Sequence, residues 1–544
     1  MSTESEFAGH AGSGQRRPEH DLRSRYSFIV CGSGASGSVI ARRLAESPDV
    51  SVLLIEAGGS DNVPAVMQAN QWPLNLGSER DWNFPGEPGP HVNNRVIPYS
   101  MGKVLGGGTS INVMVWARGH KRDWDLFSAA ADDPAWSYEA VLKLYRRIEN
   151  WHGVPDPARR GVGGPMFVEP APDPCPLAPA TMAAARSTGI PLYESPNGRM
   201  MESDGGASIT DVCAKDGVRQ SVFRSYVCPY MDKPNLTVLT GTTVTRIIFD
   251  GKRAAGIEAV RKGEKLTFAA DFEIILSLGA VQTPKILMQS GIGEKEELEQ
   301  SGIPVVAHRP GVGRNLQDHV AFDCVWEYRT PLPPRNTMSE AFILWKSRPE
   351  LTCPDLLICQ AEVPKSTVEN IERFGLPEAG WTLFGGVAHP VSRGRIRLTG
   401  RNSSDPVRLE TNVLANPADM KAAIACVELC REIGNSRPLE LFVKREVMPG
   451  PMKGRALENF VRNAATSFWH LCGTARMGHD DMAVVDNRLR VHGIKNLRIA
   501  DASIMPVITT GNTMAPCVVI GEFAARAIEM DYGMTTSART QAQR

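Results

Sequence analysis

The apolar and polar positions change period several times along the chain. Tyr26-Ser-Phe-Ile-Val-Cys31 is a short apolar run of the kind a buried strand shows. Cys31-Gly-Ser-Gly-Ala-Ser-Gly37 follows, and Val39, Ile40 and Leu44 then fall toward one side of a helix. Residues 50–56 form a second buried-strand run. This strand–turn–helix–strand order predicts the opening of a parallel α/β sheet. Residues 57–100 lose all period and are dense in Pro, Gly and Asn. So long an irregular stretch in a compact domain is functional or covers something. Tyr138, Val141, Leu142, Tyr145 and Ile148 mark one face of a helix that Ser137 can cap. Residues 154–178 are again rich in Pro and Gly. Strand-like runs recur at 236–239, 244–249, 256–260 and 273–278, and between 320 and 400, and a helical pattern returns at 417–433.

Composition narrows the function classes. The chain has 544 residues, 42% hydrophobic and 22% charged, an ordinary water-soluble mixture. Lys+Arg and Asp+Glu are both 60, so the net charge of zero speaks against a nucleic-acid partner. Eleven scattered cysteines do not spell a disulfide framework and fit a reducing, cytoplasmic setting. Cys426 and Cys430 share a helix face and are expected as small core residues. No Cys-x-x-Cys or His-Glu-x-x-His spacing occurs, so no metal site is expected. No run of ~18 apolar residues predicts a transmembrane segment. The polar first twenty residues, Arg16-Arg17 included, lack an apolar core and predict a disordered tail over 1–24. A second short tail is expected over 536–544.

The first chemical signal is Gly32-Ser33-Gly34-Ala35-Ser36-Gly37 between the first strand and the first helix. Its glycines allow a tight turn, close approach of backbone to a pyrophosphate, and close helix–strand packing. The helix N-terminus offers free N–H groups to phosphate. Glu56, followed by Ala57, ends the next strand, where its carboxylate can accept from ribose hydroxyls. The motif predicts nucleotide binding and does not separate FAD from NAD.

Three further segments are more specific. They are Met101-Gly-Lys-Val-Leu-Gly-Gly-Gly-Thr-Ser-Ile-Asn-Val-Met114, Gly279-Ala-Val-Gln-Thr-Pro-Lys-Ile-Leu-Met-Gln-Ser-Gly-Ile-Gly293, and the block from His470 to Pro516. With Gly311-Val-Gly-Arg-Asn-Leu-Gln-Asp-His319, they resemble, in order, the signatures of the glucose–methanol–choline (GMC) flavoprotein oxidoreductases. The likeness runs from about Tyr26 to Ile528. It implies an α/β, Rossmann-like FAD-binding domain assembled from residues 25–165, 205–318 and 465–535. A second, α+β substrate-binding domain on an antiparallel sheet would use 166–204 and 319–464.

By the same resemblance, FAD contacts are expected at the 32–37 turn, Glu56 and Ala57. Val244 would meet adenine through its backbone. Leu105, Gly107, Asn112, Val113, Met114 and Val115 would run along the flavin, and Trp469, Asp501, Ala502, Asn512, Thr513 and Met514 would close over it. Relatives that bind FAD covalently carry a histidine where this chain has Ile111, so non-covalent FAD is expected. Phe468-Trp-His-Leu-Cys-Gly-Thr-Ala-Arg-Met-Gly478 resembles the segment holding the catalytic histidine, which points to His470. Gly511-Asn512-Thr513 resembles the segment of its partner. A histidine suits removal of a hydroxyl proton because its unperturbed pKa of ~6.5 lies near working pH. An amide can only orient the oxygen. Asp318 and His319 are expected to be structural, and Arg393 to support a turn.

The implied activity is oxidation of a small-molecule alcohol to the aldehyde, with oxygen or a quinone-like compound taking the electrons. An FAD-containing lyase of the same fold is the alternative. A third branch of the family, the light-driven decarboxylases, lacks the His and Asn pair that this chain retains. Trp469 before the histidine is similar to members acting on aryl or furanic primary alcohols. Residues 385–394 are similar to the pyridoxine-oxidising branch, where proline is expected in place of Asn512.

Overall fold

The computed structural model describes residues 22–534. The expected tails thus fall, for 1–21 and 536–544, outside the described residues.

Five strands run parallel in the order Leu236–Leu239, Val52–Ile55, Arg25–Cys31, the C-terminal half of Glu264–Leu276, and Leu497–Ile499. Phe28, Ile29, Val30 and Cys31 are wholly buried, as are Val52, Leu53 and Leu54. Both faces of these strands are therefore covered, which is why their sequences are continuous apolar runs without alternation. The N-terminal half of Glu264–Leu276 turns back into an antiparallel meander with Arg253–Arg261 and Thr242–Asp250. Helix Ala35–Ala45 packs on helix Met514–Asp531, the last long helix, at Gly521. A Cβ at Gly521 would come within 2.8 Å of Ser36 O and Val39 Cβ, so only glycine lets the two helices approach this closely. The first and last helices of the described residues thereby pack over one sheet.

A second sheet is wholly antiparallel: Val443–Met448, Val320–Tyr328, Gly380–Val387, Leu356–Ala361, Ala341–Trp345 and Gly206–Ile209, with Thr466–Ser467 beside Val320. Strand Gly206–Ile209 lies on its edge, paired with Ala341–Leu344, whereas the sequence places residue 206 with the cofactor-side segments. One face of this sheet carries Gly385, against Cys426 and Cys430 of helix Pro417–Gly434. Both cysteines are buried there, as small core residues. The opposite face carries Asp323, Phe384 and Cys359 side by side across three strands.

Helix Tyr138–Ile148 starts at Ser137, whose Oγ accepts from Ala140 N–H. Its buried face holds Tyr138, Val141, Tyr145 and Ile148 as expected, and Leu144 as well, while Leu142 is only partly buried. No described helix is long and apolar enough to cross a membrane.

Candidate functional site

The parallel strands end at one place. Gly32 follows Cys31, Glu56 follows Ile55, Ser277 follows Leu276 and Asp501 lies two residues past Ile499, and all four line a single cavity of about 530 Å³. A ligand crevice outside the carboxyl ends of a parallel sheet is the expected site in this architecture. The opposite wall comes from the antiparallel sheet, through Cys359 and Phe384. Trp72, Trp82 and Phe84, from the irregular 57–100 stretch, cover it.

At the first turn each glycine has its own reason. A Cβ on Gly37 would lie 1.9 Å from Gly32 O, and one on Gly32, at φ +98°, would lie 2.3 Å from Ser277 O. A Cβ on Gly34 would meet no protein atom within 4 Å, because it would project into open space. Gly34, Ala35 and Ser36 line the cavity at the N-terminus of helix Ala35–Ala45, where no side chain caps the free N–H groups. Ser33 lies behind them, its backbone N–H and Oγ–H donating to Glu56 Oε2 at 3.0 and 2.7 Å. Gly58 N–H donates to Oε1 at 2.9 Å. Burial raises the Glu56 carboxyl, and these donors pull it back. Glu56 and Ala57 both line the cavity. Its residues thus fit a dinucleotide: an uncapped helix end for phosphates, a side-chain-free approach at Gly34, and a held carboxylate for a ribose.

The 105–115 segment passes along the middle of the cavity. Gly107, Ile111, Asn112, Val113 and Val115 line it, while Leu105 and Met114 are buried behind it. Arg219 fixes this loop from beneath, donating to Asn112 Oδ1 at 2.7 Å, Thr109 O at 3.1 Å and Val66 O at 2.8 Å. It was not among the expected site residues, because nothing local in its sequence ties it to a loop a hundred residues earlier. Val244, expected to meet adenine through its backbone, is buried in strand Thr242–Asp250.

The far end holds Trp469, His470, Asp501, Ala502, Asn512, Thr513 and Met514, all lining the cavity. Trp469 has φ +61°, unusual for a bulky residue, and its N–H donates to Ser467 Oγ at 2.6 Å. The next N–H, that of His470, donates to Asp318 Oδ1 at 2.8 Å. Gly511, at φ +89°, turns the chain so that Asn512 faces His470. Asp123 Oδ2 anchors that turn by accepting from Thr510 N–H at 2.6 Å. Asn512 Nδ2 lies 3.2 Å from His470 Nε2, and Asn512 Oδ1 is buried without a hydrogen-bond partner.

His319, expected to be structural, lies against His470. Its Nδ1 lies 2.9 Å from His470 Nδ1. Two ring nitrogens facing each other share one proton. An Asn512 amide donating to Nε2 would put the His470 proton on Nδ1, between the two rings, and leave the Nε2 lone pair toward the cavity. Burial pushes His470 down to about 3 and His319 well below its ordinary value, so both rings are neutral. Burial also raises Asp318 to about 7. Arg393 donates to the carbonyls of Pro390, Val391 and Ser392, a turn-supporting role as expected.

A family model for GMC oxidoreductases matches residues 26–321 and 390–521. The chain belongs to the GMC oxidoreductase family. It is therefore an FAD-dependent oxidoreductase, and the cavity fits that cofactor. A GMC relative in Mycobacterium tuberculosis H37Rv, described as an uncharacterized GMC-type oxidoreductase, is 36% identical over 93% of this chain and 100% of its own. An alcohol dehydrogenase [acceptor] of Pseudomonas putida is 33% identical over 94% of this chain and 97% of its own. The solved pyridoxine 4-oxidase from Mesorbium loti superposes with a TM-score of 0.88 at 30% identity, covering 92% of this chain and 98% of that one. Residues 322–389 lie between the two GMC matches and supply Asp323, Cys359, Lys365 and Phe384.

Proposed function

We propose that this GMC oxidoreductase oxidises a primary alcohol, a hydroxymethyl group on an aromatic or heteroaromatic ring, to the aldehyde. The observation that carries this reading is the His470–Asn512 pair: an imidazole nitrogen 3.2 Å from an amide nitrogen on one cavity wall. A substrate hydroxyl replaces the contact between them, donating to His470 Nε2 and accepting from Asn512 Nδ2. His470 then takes the hydroxyl proton, and the carbon–hydrogen bond is left oriented for transfer. Bound FAD supplies the hydride acceptor. His319 steadies the charged His470 by accepting from its Nδ1. Gly34–Ser36 and Glu56 would hold the pyrophosphate and ribose, Asn112 and Val113 would lie along the flavin, and Thr513 and Met514 would bring a helix N-terminus toward it. The aromatic side chains Phe384, Phe468 and Trp469 support a flat substrate.

The electrons then pass to oxygen or a quinone-like acceptor. Eleven unpaired cysteines support a cytoplasmic setting. Anaerobic mixing of purified enzyme with a panel of benzylic, furanic and aliphatic primary alcohols tests the reading. Bleaching of the oxidised flavin's visible absorbance is expected with the aromatic members, and admission of air then reports on oxygen as acceptor. Turnover of a cyanohydrin with the flavin still oxidised would instead establish a lyase.

A further inference from the structure

Lys365 is the only lysine or arginine lining the cavity among the described residues. Its Nζ donates to Asp323 Oδ1 at 2.8 Å and stands 3.5 Å from the centre of the Phe384 ring. Asp323 is 2% exposed and does not line the cavity, whereas the Lys365 side chain is 31% exposed. The pair is therefore an oriented dipole with its positive end toward the cavity. Lysine has three N–H donors, and Asp323 takes one of them. Phe384 connects this ammonium to the reaction centre: its ring lies 4.2 Å from Phe468 and 6.4 Å from Trp469, and Phe468 stacks on His470 at 5.8 Å. The carboxylates lining the cavity are Glu56 and Asp501. Both are spent elsewhere, Glu56 on Ser33 and Gly58, and Asp501 on Gly279, Thr283 and Ser503.

We infer that Lys365 is a substrate-recognition residue that selects alcohols carrying an anionic oxygen group, such as a ring carboxylate, on the side of the ring away from the hydroxymethyl group. The inference rests on the alcohol-oxidising reading of the same cavity and narrows its substrate class. A cationic alcohol meets like charge at this wall and no free carboxylate. A carboxylate meets an ammonium whose N–H donors are not all taken by Asp323, in a partly desolvated site where a charge-assisted hydrogen bond is strongest.

The test compares 4-(hydroxymethyl)benzoate, benzyl alcohol and 4-(hydroxymethyl)phenyltrimethylammonium on the FAD-loaded enzyme, by concentration dependence of anaerobic flavin reduction. The anion is expected to bind about 10- to 100-fold more tightly than benzyl alcohol, the scale of a hydrogen bond to a charged group, and the cation more weakly than either. In Lys365→Met that ratio should collapse to about one, and Lys365→Arg should keep most of it. Because Lys365→Met strands a buried aspartate, Asp323→Asn/Lys365→Met serves as the folded control and should show the same collapse. Benzoate, which cannot be oxidised, is titrated in parallel against the flavin absorbance of the oxidised enzyme. If none of the alcohols bleaches the flavin, the alcohol reading fails, while tight benzoate binding lost in the double variant still supports the anion site. Equal binding of benzoate to both forms, or no wild-type preference for the anion, overturns the inference.

Discussion

At the residue scale, the site depends on a neutral imidazole held from both sides. His470→Ala should slow anaerobic flavin reduction by about 10²–10⁴-fold, the usual contribution of a positioned general base. Stopped-flow reduction with a saturating alcohol measures it, and a near wild-type rate would remove His470 from the proton step. The pH dependence has a definite sign. Burial lowers His470 to about 3, so its neutral, base-competent form persists as pH falls. The reduction rate constant should stay flat from pH 7.5 to 5.5. An ordinary histidine, at ~6.5, would be about nine-tenths protonated at the lower end and lose about tenfold. His319→Phe removes the acceptor of the His470 ring proton and should cost about tenfold, the scale of one lost buried hydrogen bond. His319→Asn, which restores an acceptor, should recover part of it. If both variants lose the same activity and the same melting temperature, His319 acts only through packing.

At the element scale, the strand–turn–helix opening was legible in full, because a glycine spacing and two apolar runs are local signals. His470 and Asn512 were singled out by the resemblance of their segments to a known family, and the fold brings them together on one cavity wall. What sequence spacing could not convey is contact across distance. His319 meets His470 across 151 positions, Arg219 meets Asn112 across 107, and Lys365 meets Asp323 across 42. Strand Gly206–Ile209 joins the antiparallel sheet through pairing with Ala341–Leu344, which no period in its own four residues discloses. The first turn itself offers a sharp test. Gly37→Ala puts a Cβ 1.9 Å from Gly32 O, backbone that cannot step aside, so the fold should lose about 1–3 kcal/mol or more. Gly34→Val meets no protein atom within 4 Å at its Cβ, so the apoprotein should melt as wild type while FAD binding weakens by at least about tenfold. Apoprotein melts and FAD titrations of the two variants separate a packing glycine from a ligand-facing one. Equal loss of stability in both would deny that distinction.

At the scale of the whole molecule, the cofactor site is a seam. One wall comes from the ends of a parallel sheet built by both ends of the chain, and the other from an antiparallel sheet built by its middle. A ligand filling such a seam binds the folded chain and not the unfolded one, so it must stabilise the fold by mass action, about 2.7 kcal/mol at a concentration 100 times its dissociation constant. Attachment decides whether that stabilisation depends on free ligand. Ile111 lines the cavity and offers no nucleophile for a flavin bond. The apoprotein, prepared at high salt and low pH and then neutralised, should therefore gain a few degrees in melting temperature as FAD is added, saturating with concentration. Acid precipitation of the yellow holoenzyme should leave its flavin in the supernatant. Flavin retained in the pellet would mean a covalent link through another side chain. A melting temperature indifferent to added FAD would mean that the two sheets hold their seam without it.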